Sequence, residues 1–182
     1  MAKVVLISGS PNPGSRLNGV LKYAEKSLLE EGLELRWIHV RDLPPEDLIY
    51  TRFDSPAIAE ANRILAEADA VIVSSPIYKA SYTGVLKTFL DLIPQKGLEN
   101  KPVLPIAIGG SPAHLLAIDY AFKPVLSALG ARYLSAGIYA VDTQITRSDD
   151  LRFTLDEELT ERIRKTVREW TGEIRLRTAA AL

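Results

Sequence analysis

Near the N-terminus the apolar run Val4-Val5-Leu6-Ile7 gives way to Ser8-Gly9-Ser10-Pro11-Asn12-Pro13-Gly14-Ser15-Arg16. Hydroxyls, backbone amides released by a turn and the positive end of a following helix are the groups that hold an anion. The stretch has no Gly-Lys-Ser/Thr, and Gly9 and Gly14 lack Gly-x-Gly-x-x-Gly spacing. A turn with these residues suits a phosphate monoester held by N–H and O–H donors. It would serve equally as a polar strand-to-helix turn. A second stretch, Pro76-Ile77-Tyr78-Lys79-Ala80-Ser81-Tyr82-Thr83-Gly84, follows another apolar run and offers aromatic faces and backbone amides to a flat heteroaromatic ring. Taken singly, each tyrosine is explained as well by packing on the next helix. In a third, Gly109-Gly110-Ser111-Pro112, helix-opening N–H groups suit the electron-rich edge of a reduced ring, although Gly and Pro at a tight turn account for themselves.

These stretches need elements to bring them together. Residues 4–7, 70–75 and 101–110 read as strands buried on both faces. Residues 35–40 are a less buried strand, and 133–141 the last one. Helical spacing covers residues 16–31, 56–68, 84–92, 112–129 and 154–174, with one more helical turn at 45–50. Ser15 and Asn18 are candidate caps for the first helix and Gly32 its stop; Ser55-Pro56 opens the second. Five alternations of strand and helix predict a five-stranded parallel sheet covered on both faces, as one α/β domain over residues 1–176 with a tail at 177–182. Ligands of such sheets bind at the carboxyl ends of the strands, where all three stretches fall.

Composition narrows the classes. The chain has 182 residues, a net charge of −1 and no cysteine. Near-neutral charge gives no general attraction to nucleic acid or acidic membranes. Without cysteine there are no disulfides, thiolate metal ligands or cysteine nucleophile. Two histidines without clustered carboxylates make a poor metal set, so no metal site is expected. No stretch approaches the roughly 18 apolar residues of a membrane helix, and a cytoplasmic location is expected.

The helix at 112–129 contains Pro124. Proline lacks an N–H and presses on the carbonyl four residues back, here that of Tyr120. A kink or a local widening to π geometry centred on Tyr120 would absorb the fault. The apolar run Ala117, Ile118, Tyr120, Ala121 and Phe122 makes the helix either buried or an interface between subunits.

Several longer runs carry a resemblance. They are Gly9-Ser10-Pro11, Ser15-Arg16, Pro45-Glu46-Asp47-Leu48, Arg52-Phe53-Asp54-Ser55-Pro56, the thirteen residues from Pro76 to Thr88, Gly109-Gly110, and the thirteen from His114 to Leu126. With them, residues 3–170 resemble the NADPH-dependent FMN reductase family of flavodoxin-like proteins, and within it the FMN reductase component of two-component alkanesulfonate monooxygenase systems. The resemblance implies a three-layer sandwich with strand order 2-1-3-4-5. It implies hydride transfer from NADPH to FMN, the cofactor carrying the chemistry without a side-chain acid or base. It further implies a homo-oligomer, dimer or tetramer, that hands reduced flavin to a partner monooxygenase. The implied FMN contacts are Ser10, Asn12, Ser15, Arg16, Leu17 and Asn18 at the phosphate, then Pro76, Ile77, Tyr78, Lys79, Gly109, Gly110 and Ser111 at the ring. Tyr120 matches a tyrosine that produces a π-helix at a tetramer interface, and is expected to modulate flavin transfer. Many family members carry an arginine where this chain has Asn12; Arg16 is the expected replacement charge. A flavodoxin-like carrier with permanently bound FMN and a quinone or azo-dye reductase are the alternative readings.

Overall fold

The computed structural model describes residues 1–180. Strands β1 (Lys3–Ser8), β2 (Glu34–His39), β3 (Ala70–Tyr78), β4 (Ser81–Tyr82), β5 (Pro102–Gly109), β6 (Tyr133–Leu134) and β7 (Ile138–Val141) form one sheet. Helices α1 (Leu17–Glu30), α2 (Pro45–Ile49), α3 (Pro56–Ala66), α4 (Gly84–Leu90), α5 (Lys123–Ala128) and α6 (Glu157–Ala180) surround it. Alternate residues of each buried strand feed two separate cores. Val4 and Leu6 pack with Leu17, Val20, Leu21 and Leu28 of α1 and with Ile163, Val167 and Trp170 of α6. Val5 and Ile7 face Ile58 and Leu65 of α3, Leu86 and Phe89 of α4, and Phe122 and Leu126. The period-2 direction of side chains thus builds three layers around the sheet.

The sheet has seven strands, where five were expected. The parallel order β2-β1-β3-β5 and then the last strand stands as 2-1-3-4-5, but the last strand is broken into β6 and β7. Leu134 pairs with Val103 and Ile138 with Ile106, so one side carries an extra residue. The cause is Pro105. The carbonyl of Val103 accepts from Ser135 N at 3.0 Å, and Pro105, two residues on, has no N–H to offer the same neighbour. The neighbouring strand bulges there through Gly137, at φ +94. The seventh strand is β4, which folds back antiparallel on the end of β3.

Two more expectations are corrected. Helix α6 starts at Glu157, not at residue 154. Asp156 Oδ1 accepts from Leu159 N at 2.7 Å and caps it, and the preceding residues pair as an antiparallel hairpin of β8 (Ile145–Arg147) and β9 (Phe153–Leu155). The helix expected over 112–129 is composite: a 3-10 turn at Pro112–His114, a π-helical turn at Ile118–Phe122, then α5. Lys123 N donates to Ile118 O, five residues back, and Pro124 follows inside the first turn of α5. This is the widening that the Pro124 argument offers. Of the expected tail, α6 runs through Ala180 and residues 181–182 lie outside the described residues. No helix of the described residues is long and apolar enough to cross a membrane.

Candidate active site

The carboxyl ends of β1, β3 and β5 are held in register by a buried hydroxyl network. Thr83 Oγ1 donates to Gly9 O at 2.6 Å and accepts from Leu86 N at 3.1 Å, so one side chain caps α4 and ties it to the end of β1. Ser75 Oγ accepts from Thr83 N at 2.9 Å, and Ser74 Oγ donates to Ile7 O at 2.8 Å. The hydroxyls that end β3 are therefore spent inside the protein. A Cβ at Gly9 would meet Leu86 Cβ at 2.5 Å, which is why α4 can lie this close to the first turn.

Most polar groups of that first turn are spent as well. Ser10 is fully buried; its Oγ donates to Asn12 O at 3.0 Å and lies 3.3 Å from Asn12 N. Asn12 Oδ1 accepts from Gly14 N at 2.8 Å, and Ser15 Oγ from Leu17 N at 3.2 Å. Asn18 Nδ2 donates to Pro13 O. The turn is thus stiffened by its own side chains. Two guanidinium groups flank it. Arg16 Nε donates to Ile145 O at 3.0 Å, and Arg147 Nη1 donates to Gly14 O at 2.7 Å.

A cleft of about 200 Å³ lies where these loops meet. Of the residues expected to bind FMN, it gathers Asn12, Ser15, Arg16, Pro76, Ile77, Tyr78, Gly109 and Gly110. Leu17 is in the core under α1, and Ser10 sits behind the turn. Asn18 lines a different cleft, beside Trp37 and His39. Lys79 is at the exposed tip of the β3–β4 hairpin, and Ser111 is engaged outside the cleft: its carbonyl accepts from Tyr139 Oη at 2.7 Å and its Oγ accepts from Ala113 N at 3.1 Å, capping the turn that follows.

Lys79 and Ala80 both have positive φ, 51 and 65, the left-handed pair that a two-residue hairpin loop requires. Neither is glycine, so the tip holds strain of about 1–2 kcal/mol per residue. The hairpin also reaches the π-helical turn: Tyr82 meets Phe122 edge-on with ring centroids 5.2 Å apart, and Ala80 shares a shallow cleft with Ala117, Tyr120 and Ala121.

Comparison with known proteins fits this geometry to a family. The sequence pattern of the NADPH-dependent FMN reductase family matches residues 2–146. The chain is 50% identical to the FMN reductase (NADPH) of Pseudomonas putida KT2440, over 80% of this chain and 74% of that one. It is 48% identical to the FMN reductase (NADPH) of Escherichia coli K12, over 79% of this chain and 75% of that one. This chain belongs to the NADPH-dependent FMN reductase family. Family members are oxidoreductases that take electrons from NADPH and pass them to FMN. The crystal structure of an NADH:FMN oxidoreductase (EMOB) in its apo form superposes with a TM-score of 0.83 at 37% identity, covering 93% of this chain and 88% of that one.

The cleft suits the cofactor of such a reductase. Two arginines, Arg16 and Arg147, line it. Gly109 and Gly110 present backbone without side chains, and a Cβ at Gly110 would meet nothing nearer than Asp142 Oδ2 at 3.9 Å. Tyr78, 52% exposed, stands at the rim as an aromatic face. Sequence reading missed Asp142 and Arg147 as residues of the cleft: Asp142 directly follows the last core strand, and the turn-back of the chain into β8 carries Arg147 there. It also missed Tyr139. The Tyr139 ring lies directly beneath Gly109, and burial together with the Asp142 carboxylate pushes its phenol pKa up, keeping it a neutral donor to Ser111.

Proposed function

We propose that this chain binds FMN with its phosphate between the first turn and hairpin β8–β9 and its ring over Gly109 and Gly110, reduces it with NADPH, and releases reduced flavin to a partner monooxygenase. The convergence of residues 12–16, 76–78 and 109–110 on one cleft carries the reading. FMN, when bound, supplies the hydride acceptor. The protein's part is to orient. Pro76 and Ile77 from β3 and the Gly109-Gly110 backbone from β5 form a rigid floor, and Tyr78 borders one rim. The cleft, at about 200 Å³, is smaller than the roughly 300 Å³ at which enclosed ligand sites begin. A ring seated there keeps one face open, as a hydride donor requires and as a departing product permits.

Exposed Leu115, Leu116 and Tyr120 make an apolar face beside the β3–β4 hairpin, which we read as the subunit interface. Through Ala80 and Tyr82 that interface abuts the loop that carries Tyr78, so assembly and flavin release are coupled in this reading. The resemblance of residues 76–88 and 114–126 to the reductases of alkanesulfonate systems supports a sulfonate monooxygenase as partner, in the cytoplasm where NADPH is kept reduced.

The test mixes purified protein, NADPH and excess FMN and follows the NADPH absorbance. Multiple turnovers of FMN support a reductase that releases its flavin. A yellow protein that consumes no NADPH beyond one equivalent would instead establish the carrier reading.

A further inference from the structure

The first turn is built as an anion cup, yet its own polar side chains are turned inward. Ser10, Asn12 and Ser15 each bond to the turn's backbone. A phosphate monoester carries a charge near −2 at neutral pH, and neutral amides alone leave that charge uncompensated. The compensating charge comes from elsewhere in the chain. We propose that Arg147, delivered by hairpin β8–β9, is the principal phosphate-binding cation of the FMN site. The proposal rests on the FMN reading above, and it assigns the clamp to a residue just past the family match at residues 2–146.

Three observations carry it. First, the guanidinium is already at the cup: Nη1 donates to Gly14 O at 2.7 Å, and a Cβ at Gly14 would lie 3.3 Å from the same nitrogen. That bond uses one of five N–H groups, and among the described residues no carboxylate forms an ion pair with Arg147. Arg16 spends its Nε on Ile145 O and lines the same cleft, without a carboxylate partner among the described residues. With Asp142 in the same cleft the formal charge is +1, which offsets half the charge of a dianion, and without Arg147 it would be zero.

Second, the hairpin is anchored well enough to aim its arginine. Ile145 is buried, and its carbonyl takes the Arg16 bond. Phe153 lies on Gly19, where a Cβ would come within 2.7 Å of Phe153 Cβ; only glycine in the first turn of α1 lets the hairpin sit this low. Asp156 N donates to Gln144 O at 2.9 Å and closes the hairpin's base. Third, the loop's Asp150 is occupied by Ser148 and Arg152, so it does not draw Arg147 away from the cup. The fork of a guanidinium then fits two phosphate oxygens at once.

The experiment titrates wild type, Arg147→Gln and Arg147→Lys with FMN and with riboflavin, which lacks the phosphate, following flavin fluorescence at two salt concentrations. Gln retains a donor for Gly14 O and removes the charge. Arg147 is exposed, so the expected loss is toward the low end for a charged hydrogen bond: FMN binding about 10- to 30-fold weaker in Arg147→Gln, riboflavin within twofold, and a shallower salt dependence for FMN. Arg147→Lys, which keeps the charge without the fork, is expected in between and serves if the Gln variant does not fold. Unchanged FMN affinity, or equal weakening of FMN and riboflavin, overturns the assignment. Wild-type protein that binds neither flavin overturns the FMN reading itself, and the assignment with it.

Discussion

Gly109→Ala tests the packing beneath the ring end of the site. A Cβ at residue 109 would fall inside contact distance of Tyr139 Oη, with Cζ of the same ring at 3.2 Å and Ile77 Cβ at 3.7 Å. Tyr139 has little room to yield: it is 7% exposed and its hydroxyl is fixed on Ser111 O at 2.7 Å. Overpacking costs about 1–3 kcal/mol, and a displaced hydroxyl forfeits about 1 kcal/mol more, so Gly109→Ala is expected to lose about 2–4 kcal/mol. Tyr139→Phe alone loses about 1 kcal/mol with that hydrogen bond. The double variant is the informative one. Once Oη is gone, the nearest atom is Cζ, and a shift of a few tenths of an ångström accommodates the methyl. The pair is therefore expected to total about 1–2 kcal/mol, well under the sum of the singles. Urea denaturation of the four proteins measures the coupling. Additivity within about 0.5 kcal/mol would refute the claim that Tyr139 Oη is what requires glycine at 109.

Thr83→Ala removes the α4 cap and the bond to Gly9 O from a buried network, and is expected to cost about 2 kcal/mol or more in chemical denaturation, with Thr83→Ser largely spared. Ala80→Gly relieves a positive φ at the hairpin tip and is expected to stabilise by about 0.5–1 kcal/mol; a lower melting temperature would show that the tip is not strained. His39 stacks on Trp37, and burial followed by the Arg41 charge lowers its pKa below 6.5. Below that pH the unfolded chain takes up the proton more readily than the folded one. Stability should therefore fall as pH drops from about 6.5 toward the depressed folded value, and His39→Gln should flatten that part of the melting-temperature profile.

Local rules and their limits account for what could be read in advance. Apolar runs of strand length at Val4–Ile7 and Ala70–Val73 have one stable home, a sheet covered on both faces, and alternation with helices makes that sheet parallel, whereas its order 2-1-3-4-5 was implied only by the family resemblance. Pro124 was legible as a fault because a missing N–H has the same consequence in any helix, and the chain resolved it with a π turn at Ile118–Phe122. Ser55 opens α3 as its type and its following proline predict, accepting from Ile58 N at 3.4 Å. Pro105 obeys the same rule as Pro124. Its effect falls on a neighbouring strand more than twenty residues away, so the split into β6 and β7 needed the pairing register.

The site divides along the same line. The sequence alone determined which stretches end the buried strands, and so that residues 9–16, 76–79 and 109–111 meet at one edge of the sheet, because parallel topology allows no other arrangement of carboxyl ends. Only the tertiary structure decided which side chains there are free. Hydroxyls at Ser10, Ser15, Ser74 and Ser75 look alike in sequence and are consumed by backbone partners; Leu17 and Asn18 face away because a helix turns 100° per residue. The cation that reaches Gly14 comes from Arg147, across a separation of 133 residues, and the ring that requires glycine at 109 comes from Tyr139. Charge and close contact act through space, and a linear chain shows neither until folding brings its distant parts together.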